Sequence, residues 1–255
     1  MTAPRTPILA GNWKMNHGPS QAARFFADFL PLVQPADDRS VVFFPPAVSF
    51  AAAREAVQGR PDVRLGVQNV HWEEGGAFTG ELSVAMAADA GAELVLVGHS
   101  ERRHVFGETV DETVRKVGAV LRGGLVPVLC VGETIEERRA DRAEAVVVEQ
   151  LRPVLASISA EQLPTLVIAY EPVWAIGTGV TATPADAAAM HAAVRRTLAE
   201  VYGAQAAEGV PVLYGGSVKP DNAAELMSQP GVDGVLVGGA SLDPAGFAAI
   251  VAAAG

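Results

Sequence analysis

Short apolar runs recur along the chain, and several of them are apolar at every position. Continuous apolarity is typical of strands buried on both faces, as in a parallel sheet covered by helices, whereas a half-exposed strand alternates apolar and polar residues. The pattern therefore predicts about eight strands, at Ile8–Ala10, Val41–Phe44, Val63–Val67, Leu94–Val97, Val126–Val131, Leu166–Tyr170, Val212–Tyr214 and Val235–Val237.

The segments between these runs have helical periodicity. Two helix starts are predicted by capping-box spacing, at Thr109 with Glu112 and at Thr183 with Asp186, and Pro184 occupies the first helical position of the second. Apolar residues spaced by three and four also form single stripes, at Val147, Leu151, Val154 and Leu155, and at Met190, Val194, Leu198 and Val201.

A strand followed by a helix, repeated about eight times in 255 residues, predicts an α/β fold. This count and length fit a single (β/α)8 TIM barrel better than an open doubly wound sheet, although length alone also allows two smaller domains. No Ser/Gly-rich linker or charge block divides the chain, so we expect residues 1–255 to form one domain.

The charge and cysteine content limit the partners that we expect. The formal net charge is −10 without a Lys/Arg block, which argues against nucleic-acid binding and against a polybasic membrane anchor. No apolar run approaches the ~18 residues that span a bilayer, and the N-terminus lacks a secretory pattern, so a cytoplasmic protein is expected. Cys130 is the only cysteine and is interpreted as a small buried apolar residue.

No cofactor or metal is expected from the motifs. Gly177-Thr178-Gly179 lacks the third glycine of a dinucleotide fingerprint, and the chain has no phosphate-binding loop motif of the nucleotide triphosphatases. The five histidines show no metal-ligand spacing. Any chemistry must therefore be carried out by side chains and backbone groups.

Glu171 is the strongest candidate for that chemistry, because it ends a buried strand and is followed at once by segment 172–179, with proline at its start and glycines near its end. Such a segment can close as a lid over the carboxylate, exclude water and raise its basicity. The alternative interpretation is a strand-ending glutamate that caps the next helix or pairs with an arginine.

Other polar residues and glycines also follow directly after apolar runs. In a parallel barrel the loops after the strands gather on one face, so residues in these places are expected to share a site. Individually, Lys14 could be a solvated lysine, His99 a hydrogen-bonded core histidine and the glycine pairs simple turns. The residues selected in this way are Asn12, Lys14, His99-Ser100-Glu101, Glu171, Gly215-Gly216-Ser217 and Gly238-Gly239.

Four motifs, in this order and spacing, resemble the triosephosphate isomerase family from end to end. The resemblance implies that Glu171 moves a proton between adjacent carbons of a triose phosphate through an enediolate. The motifs are Asn12-Trp13-Lys14-Met15-Asn16, Gly98-His99-Ser100-Glu101-Arg102-Arg103, Tyr170-Glu171-Pro172-Val173-Trp174-Ala175-Ile176-Gly177-Thr178-Gly179 and Tyr214-Gly215-Gly216-Ser217-Val218-Lys219.

The resemblance also implies roles for the other residues. His99 is expected to polarise the carbonyl as a neutral imidazole whose pKa is lowered by a helix beginning near Ser100; the family is itself a known example of such pKa tuning. Lys14 is expected to supply positive charge near the enediolate and phosphate, with Asn12 as a nearby hydrogen-bonding group and Glu101 in support.

The phosphate is expected among the backbone N–H groups of Gly177, Ser217, Gly238 and Gly239, where glycine permits close approach. Trp174 and Ile176 are expected to exclude water when the lid closes. One departure from the family is Val180, at a position where the family commonly has lysine; it is assigned no chemical role.

Segment Gln68–Glu81, with Trp72 and Phe78 among glycines, resembles the family's intersubunit loop and implies a homodimer. A compact loop folded on its own barrel is the alternative. Two other functions remain open from the residues alone: an aldolase that forms a Schiff base on Lys14, and a phosphate-binding protein without catalysis.

Overall fold

The computed structural model describes residues 5–176 and 182–254. Within these residues, eight parallel strands pair in chain order and close into a barrel through pairing of the last strand with the first. Each predicted apolar run coincides with one strand to within two residues at either end. The strands are β1 (Ile8–Asn12), β2 (Ser40–Phe44), β3 (Val63–Val67), β4 (Leu94–Val97), β5 (Val126–Val131), β6 (Val167–Tyr170), β7 (Val212–Tyr214) and β8 (Gly234–Val237).

Helices connect the strands and cover the outside of the barrel, which confirms the predicted (β/α)8 fold. They are α1 (Pro19–Phe29), α2 (Phe50–Ala56), α3 (Val84–Asp89), α4 (Ser100–His104), α5 (Val110–Arg122), α6 (Ile135–Arg139), α7 (Ala143–Ser157), α8 (Pro184–Tyr202), α9 (Ala204–Glu208), α10 (Ala223–Met227) and α11 (Pro244–Ala252).

The predicted helix starts at Thr109 and Thr183 are confirmed, since both residues form capping boxes at α5 and α8. The apolar stripe on α7 is buried throughout, but the one on α8 is wrong at its last position, where Val201 is 39% exposed. The next residue, Tyr202, turns inward instead, and its hydroxyl donates to the carbonyl oxygens of Leu155 and Ile158.

The strands are apolar on both faces because each face packs against a different layer. Alternate residues such as Ala10, Leu96 and Ala169 fill the inside of the barrel, and their neighbours, such as Val95 and Ile168, pack under the helices. Cys130 lies in the inner layer and is fully buried, which confirms its interpretation as a small apolar residue. Nowhere in the described ranges is there a helix with the length and apolarity needed to cross a membrane.

Candidate active site

A cavity of about 580 Å³ opens at the carboxyl ends of the strands. It brings together residues that follow five different strands, as the parallel topology predicts. Gly177 and Val180 lie outside the described residues. The sequence-predicted residues that line the cavity are Asn12, Lys14, His99, Glu171, Ile176, Gly215, Gly216, Ser217, Gly238 and Gly239.

Glu171 follows β6 and is buried. One carboxylate oxygen, Oε1, lies 3.0 Å from Nε2 of His99, and the other, Oε2, accepts the backbone N–H of Ser100 at 2.8 Å. Ser100 is the first residue of α4, so the carboxylate does cap a helix, although not the next one in the chain. Burial raises the pKa of Glu171, but the electrostatic interaction and hydrogen bond with His99, the hydrogen bond from Ser100 and the nearby Lys14 together lower it further, so the net shift is downward. In this arrangement Glu171 is held as a carboxylate.

His99 caps α4 with its side chain, because Nδ1 accepts the backbone N–H of Glu101 at 3.2 Å. An acceptor nitrogen carries no proton, so this bond assigns the neutral tautomer with its proton on Nε2, facing Glu171. This is the tautomer that the expected neutral imidazole would take, and the neutral state itself stays a prediction. The pKa of His99, however, is not shifted downward as expected. Burial lowers the pKa of His99, but the charge and hydrogen bond of Glu171 outweigh it, so the net shift is upward.

Lys14 is held in place by both its backbone and its side chain. Its φ is 50°, in the left-handed region, and its N–H donates to Oδ1 of Asn12 at 2.9 Å. Its carbonyl accepts from Nε2 of Gln68 at 2.8 Å, and its Nζ pairs with Oε1 of Glu101 at 2.8 Å. The preceding Trp13 is fully buried. The interpretation as a freely solvated lysine is therefore wrong.

The glycines on this face permit close approach of the backbone to the charged groups. A Cβ atom on Gly215 would lie 2.8 Å from Cγ of Glu171, and one on Gly238 would lie 3.3 Å from Cε of Lys14. Side chains at these positions would displace the two charged residues or fill the cavity beside them. The interpretation of both as simple turns is therefore incomplete.

The first residues after Glu171 are hydrogen-bonded to the loop that follows β5. Glu133 Oε1 accepts from the Tyr170 hydroxyl at 3.1 Å and from Nε1 of Trp174 at 2.8 Å, and the Glu133 carbonyl accepts the N–H of Val173 at 3.1 Å. The guanidinium of Arg138 lies 4.6 Å from the Trp174 ring centre. These contacts fix Val173 and Trp174, near the start of the segment that was expected to act as a lid.

No role in the site was predicted for Glu133, Gln68 or Lys219, and Ser100 was expected on the active face only as a neighbour of His99 and as the start of a helix. Gln68 follows a predicted strand directly and Glu133 follows one after a single glycine, so the rule that selected Lys14 could also have selected them. Lys219 lies in a quoted motif and lines the cavity. The contact of Ser100 is made by its backbone, for which no side-chain signal exists.

The loop at 68–81 is folded at its base and exposed at its tip. His71 pairs with Ser83, and its ring stacks on Trp72 with centroids 4.1 Å apart, while Trp72 packs against the core. Residues 73–81 are all exposed, including Phe78 at 42%. A second cavity of about 220 Å³ lies nearby and is lined in part by Lys14, Met15, Gln68, Glu101 and Phe106.

Comparison with known proteins gives one consistent family. The family model described as triosephosphate isomerase matches residues 7–254. The triosephosphate isomerase of Symbiobacterium thermophilum is 52% identical over 98% of this chain and 97% of its own length. The enzyme of that name from Solibacter usitatus is 50% identical, covering 97% and 99%, and that from Roseiflexus sp. is 51% identical, covering 97% of each.

Proposed function

The chain belongs to the triosephosphate isomerase family, and from this premise we propose which of its residues carry out the family's reaction. The chain is an isomerase that interconverts glyceraldehyde 3-phosphate and dihydroxyacetone phosphate, a step of glycolysis. The same reaction read in reverse serves gluconeogenesis. We treat residues 1–255 as a single barrel domain and place the enzyme in the cytoplasm with its phosphorylated substrates.

The substrate phosphate binds at the β7 and β8 side of the cavity. Ser217, Gly238 and Gly239 line that side, and Gly177 is assigned to the same group from the sequence. Glycine leaves backbone N–H groups open to a close anion. Lys14 adds positive charge beside Gly238, which offsets the repulsion between a phosphate dianion and a protein of net charge −10.

The carbonyl end of the substrate faces His99 and Lys14, with Asn12 as a further hydrogen-bonding group. The Nε2–H of His99 donates to the carbonyl oxygen and, with the Lys14 ammonium, stabilises the negative charge that develops there in the enediolate. The hydrogen bond from the Glu101 N–H to Nδ1 supports this role, because the single N–H of the neutral ring is then on Nε2 and faces the cavity.

Glu171 is the base that takes a proton from one carbon and returns it to the neighbouring carbon. The Nε2–H of His99 donates to Oε1 of this carboxylate, and the backbone N–H of Ser100 donates to Oε2. Substrate entry therefore requires an exchange, in which the carbonyl takes over the His99 donor and the carboxylate turns toward the carbon. The contacts that lower the pKa of Glu171 are lost in this exchange while the burial that raises it remains, so its basicity rises when it is needed.

The observation that carries this proposal is the convergence of a buried carboxylate, an oriented neutral imidazole and a fixed ammonium on one cavity. Nζ of Lys14 lies 2.8 Å from Oε1 of Glu101, so it is engaged by a carboxylate and is not presented as a free nucleophile, which speaks against a Schiff-base aldolase. The test is turnover of both triose phosphates by the purified protein without added metal or nucleotide, alongside Glu171→Ala. Fast turnover that Glu171→Ala abolishes supports the proposal; phosphate-ligand binding without turnover supports the binding-protein alternative.

We also propose that two copies of the chain form a homodimer through the loop at 68–81. The exposed tip of this loop, with Phe78, supports that arrangement, as does the nearly complete exposure of Met15, which follows Lys14. A partner loop seated in the second cavity would cover Met15 and Phe106 and hold Lys14 and Glu101 in place. The dimer would then complete the site rather than merely adjoin it.

A further inference from the structure

A buried glutamine on the outer helix α7 binds both backbone groups of a single residue beyond β5. The Gly132 N–H donates to Oε1 of Gln150 at 2.8 Å, and Nε2 of Gln150 donates to the Gly132 carbonyl oxygen at 3.0 Å. Gln150 is 9% exposed, so water competes little for these bonds. A primary amide carries a donor and an acceptor, as a peptide group does, and it therefore acts here like one residue of a neighbouring strand.

Gly132 needs such a partner because it lies just past the end of the sheet. The pairing of β4 with β5 ends at Val97 and Leu129, and the pairing of β5 with β6 ends at Val131 and Tyr170. A buried N–H and C=O beyond these ladders must be satisfied by other groups. The amide of Gln150 satisfies both.

Gly132 also packs directly against the backbone of Glu171. A Cβ atom built on Gly132 would lie 1.8 Å from the carbonyl oxygen of Glu171 and 2.6 Å from its carbonyl carbon. On one side of this contact Val131 accepts the N–H of Glu171 at 2.8 Å, and on the other Glu133 holds Trp174. Any shift of Gly132 is therefore passed to Glu171 and to the start of the lid segment.

We infer that Gln150 is a positioning residue for the isomerase reaction: its side-chain amide fixes Gly132, and Gly132 fixes the backbone from which the Glu171 carboxylate reaches the substrate. Gln150 is not among the described residues that line the cavity, so it acts through Gly132 and not by touching substrate. The inference rests on the proposed role of Glu171 as the base.

The first variant is Gln150→Leu, which removes both hydrogen bonds and keeps an apolar side chain of similar size on α7. Because displacement of a reacting group by about 1 Å can cost about 10²-fold, kcat is expected to fall about 10- to 100-fold. KM is expected to change less, by about threefold or under, because the proposed phosphate-binding residues follow β7 and β8.

The matched control is Leu151→Ala, at the adjacent buried position of the same helix. It destabilises the fold by leaving a cavity but removes neither bond to Gly132. Assayed well below its Tm, it is expected to keep the wild-type kcat. Equal kcat values for Gln150→Leu and Leu151→Ala would overturn the inference.

The second variant, Gln150→Glu, tests the hydrogen bonds themselves. A protonated carboxyl group has the donor and acceptor of the amide and restores both bonds, whereas the ionised form repels the Gly132 carbonyl oxygen. The ratio of its kcat to that of the wild type is therefore expected to rise as the pH falls from about 8 to about 5.5. A ratio that does not change with pH would contradict the inference.

A parallel Glu171→Gln variant separates the two proposals. If it keeps near-native kcat, Glu171 is not the base and both proposals fail. If it loses kcat while Gln150→Leu behaves like Leu151→Ala, only the positioning role of Gln150 fails.

Discussion

Nε2 of His99 lies 3.0 Å from Oε1 of Glu171 in a buried part of the site. The donor that a substrate carbonyl needs is thus engaged by the carboxylate that must later accept a carbon-bound proton. Substrate binding therefore releases the two groups together, and this coupling leads to the first prediction.

His99→Gln is expected to lower kcat by about 10²-fold, because the amide polarises the carbonyl less effectively than the imidazole. The acid limb of kcat/KM is expected to move to higher pH. Burial raises the pKa of Glu171 and His99 lowers it, so removal of His99 leaves the raising effect less opposed. Near-native kcat together with an unmoved acid limb would contradict the role of His99.

Lys14→Met and Glu101→Gln are expected to differ in severity although they break the same ion pair. Lys14→Met removes the charge beside the enediolate, so kcat/KM should fall by about 10²-fold or more. Glu101→Gln keeps the backbone N–H that orients His99, and its loss should stay within about tenfold. Steady-state kinetics of the two variants, with circular dichroism as a folding control, compare them. Equal losses would show that the ion pair, and not the Lys14 charge, carries the effect.

The buried side chain of His191 is expected to make the free energy of unfolding depend on pH in the acid range. Burial lowers its pKa to about 4, and its Nδ1 lies 2.9 Å from the carbonyl oxygen of Gly231. In the unfolded chain the histidine has an ordinary pKa near 6.5, so between about pH 6.5 and 4 the unfolded state binds more protons than the folded state. The contribution of His191 to the free energy of unfolding is therefore full above about pH 6.5 and falls as the pH drops toward 4. The loss is about 3 kcal/mol.

His191→Asn keeps a donor near Gly231 but cannot titrate in this range. Its free energy of unfolding should be lower at neutral pH and should decline less steeply between pH 6.5 and 4 than that of the wild type. Urea unfolding at one fixed protein concentration measures both slopes. Parallel slopes would mean that other groups dominate acid unfolding.

Substitution of Phe78 tests the proposed dimer. Phe78→Glu places a charge at the exposed tip of the loop and is expected to raise the dissociation constant and to increase the loss of activity on dilution. Leu32→Glu, at an exposed apolar position after α1, is the matched control and should associate like the wild type. Sedimentation and kcat/KM over a dilution series provide the readout. Monomers that retain full activity would contradict a dimer that completes the site.

The barrel and the members of its site were predictable because both follow from short-range patterns. An apolar run that is buried on two faces predicts a parallel strand, and the first polar residue after it predicts a place on the active face. Glu171, His99 and Lys14 were found by this rule. The resemblance to the family then assigned their expected roles.

The contacts between these residues were not predictable, since they join positions far apart in the chain and often involve backbone atoms. The hydrogen bond from the Ser100 N–H to Glu171 is made by the backbone, so no side chain signals it. The upward pKa shift of His99 depends on the Glu171 carboxylate lying next to its ring. The left-handed backbone of Lys14 and its tie to Gln68 depend in the same way on the closed barrel. The hydrogen bonds of Gln150 to Gly132 were not predictable either, because in the sequence Gln150 is one more polar residue in a helical segment.

Proton transfer by Glu171 is tested most directly by the kinetics of Glu171→Asp against the wild type. Aspartate keeps the charge and shortens the side chain by one methylene, so the carboxylate remains ionised but no longer reaches the substrate carbon. We expect kcat to fall by about 10²-fold or more while KM stays within a few-fold. A variant that kept near-native kcat would show that Glu171 is not the base, and the mechanism would have to be assigned to another residue.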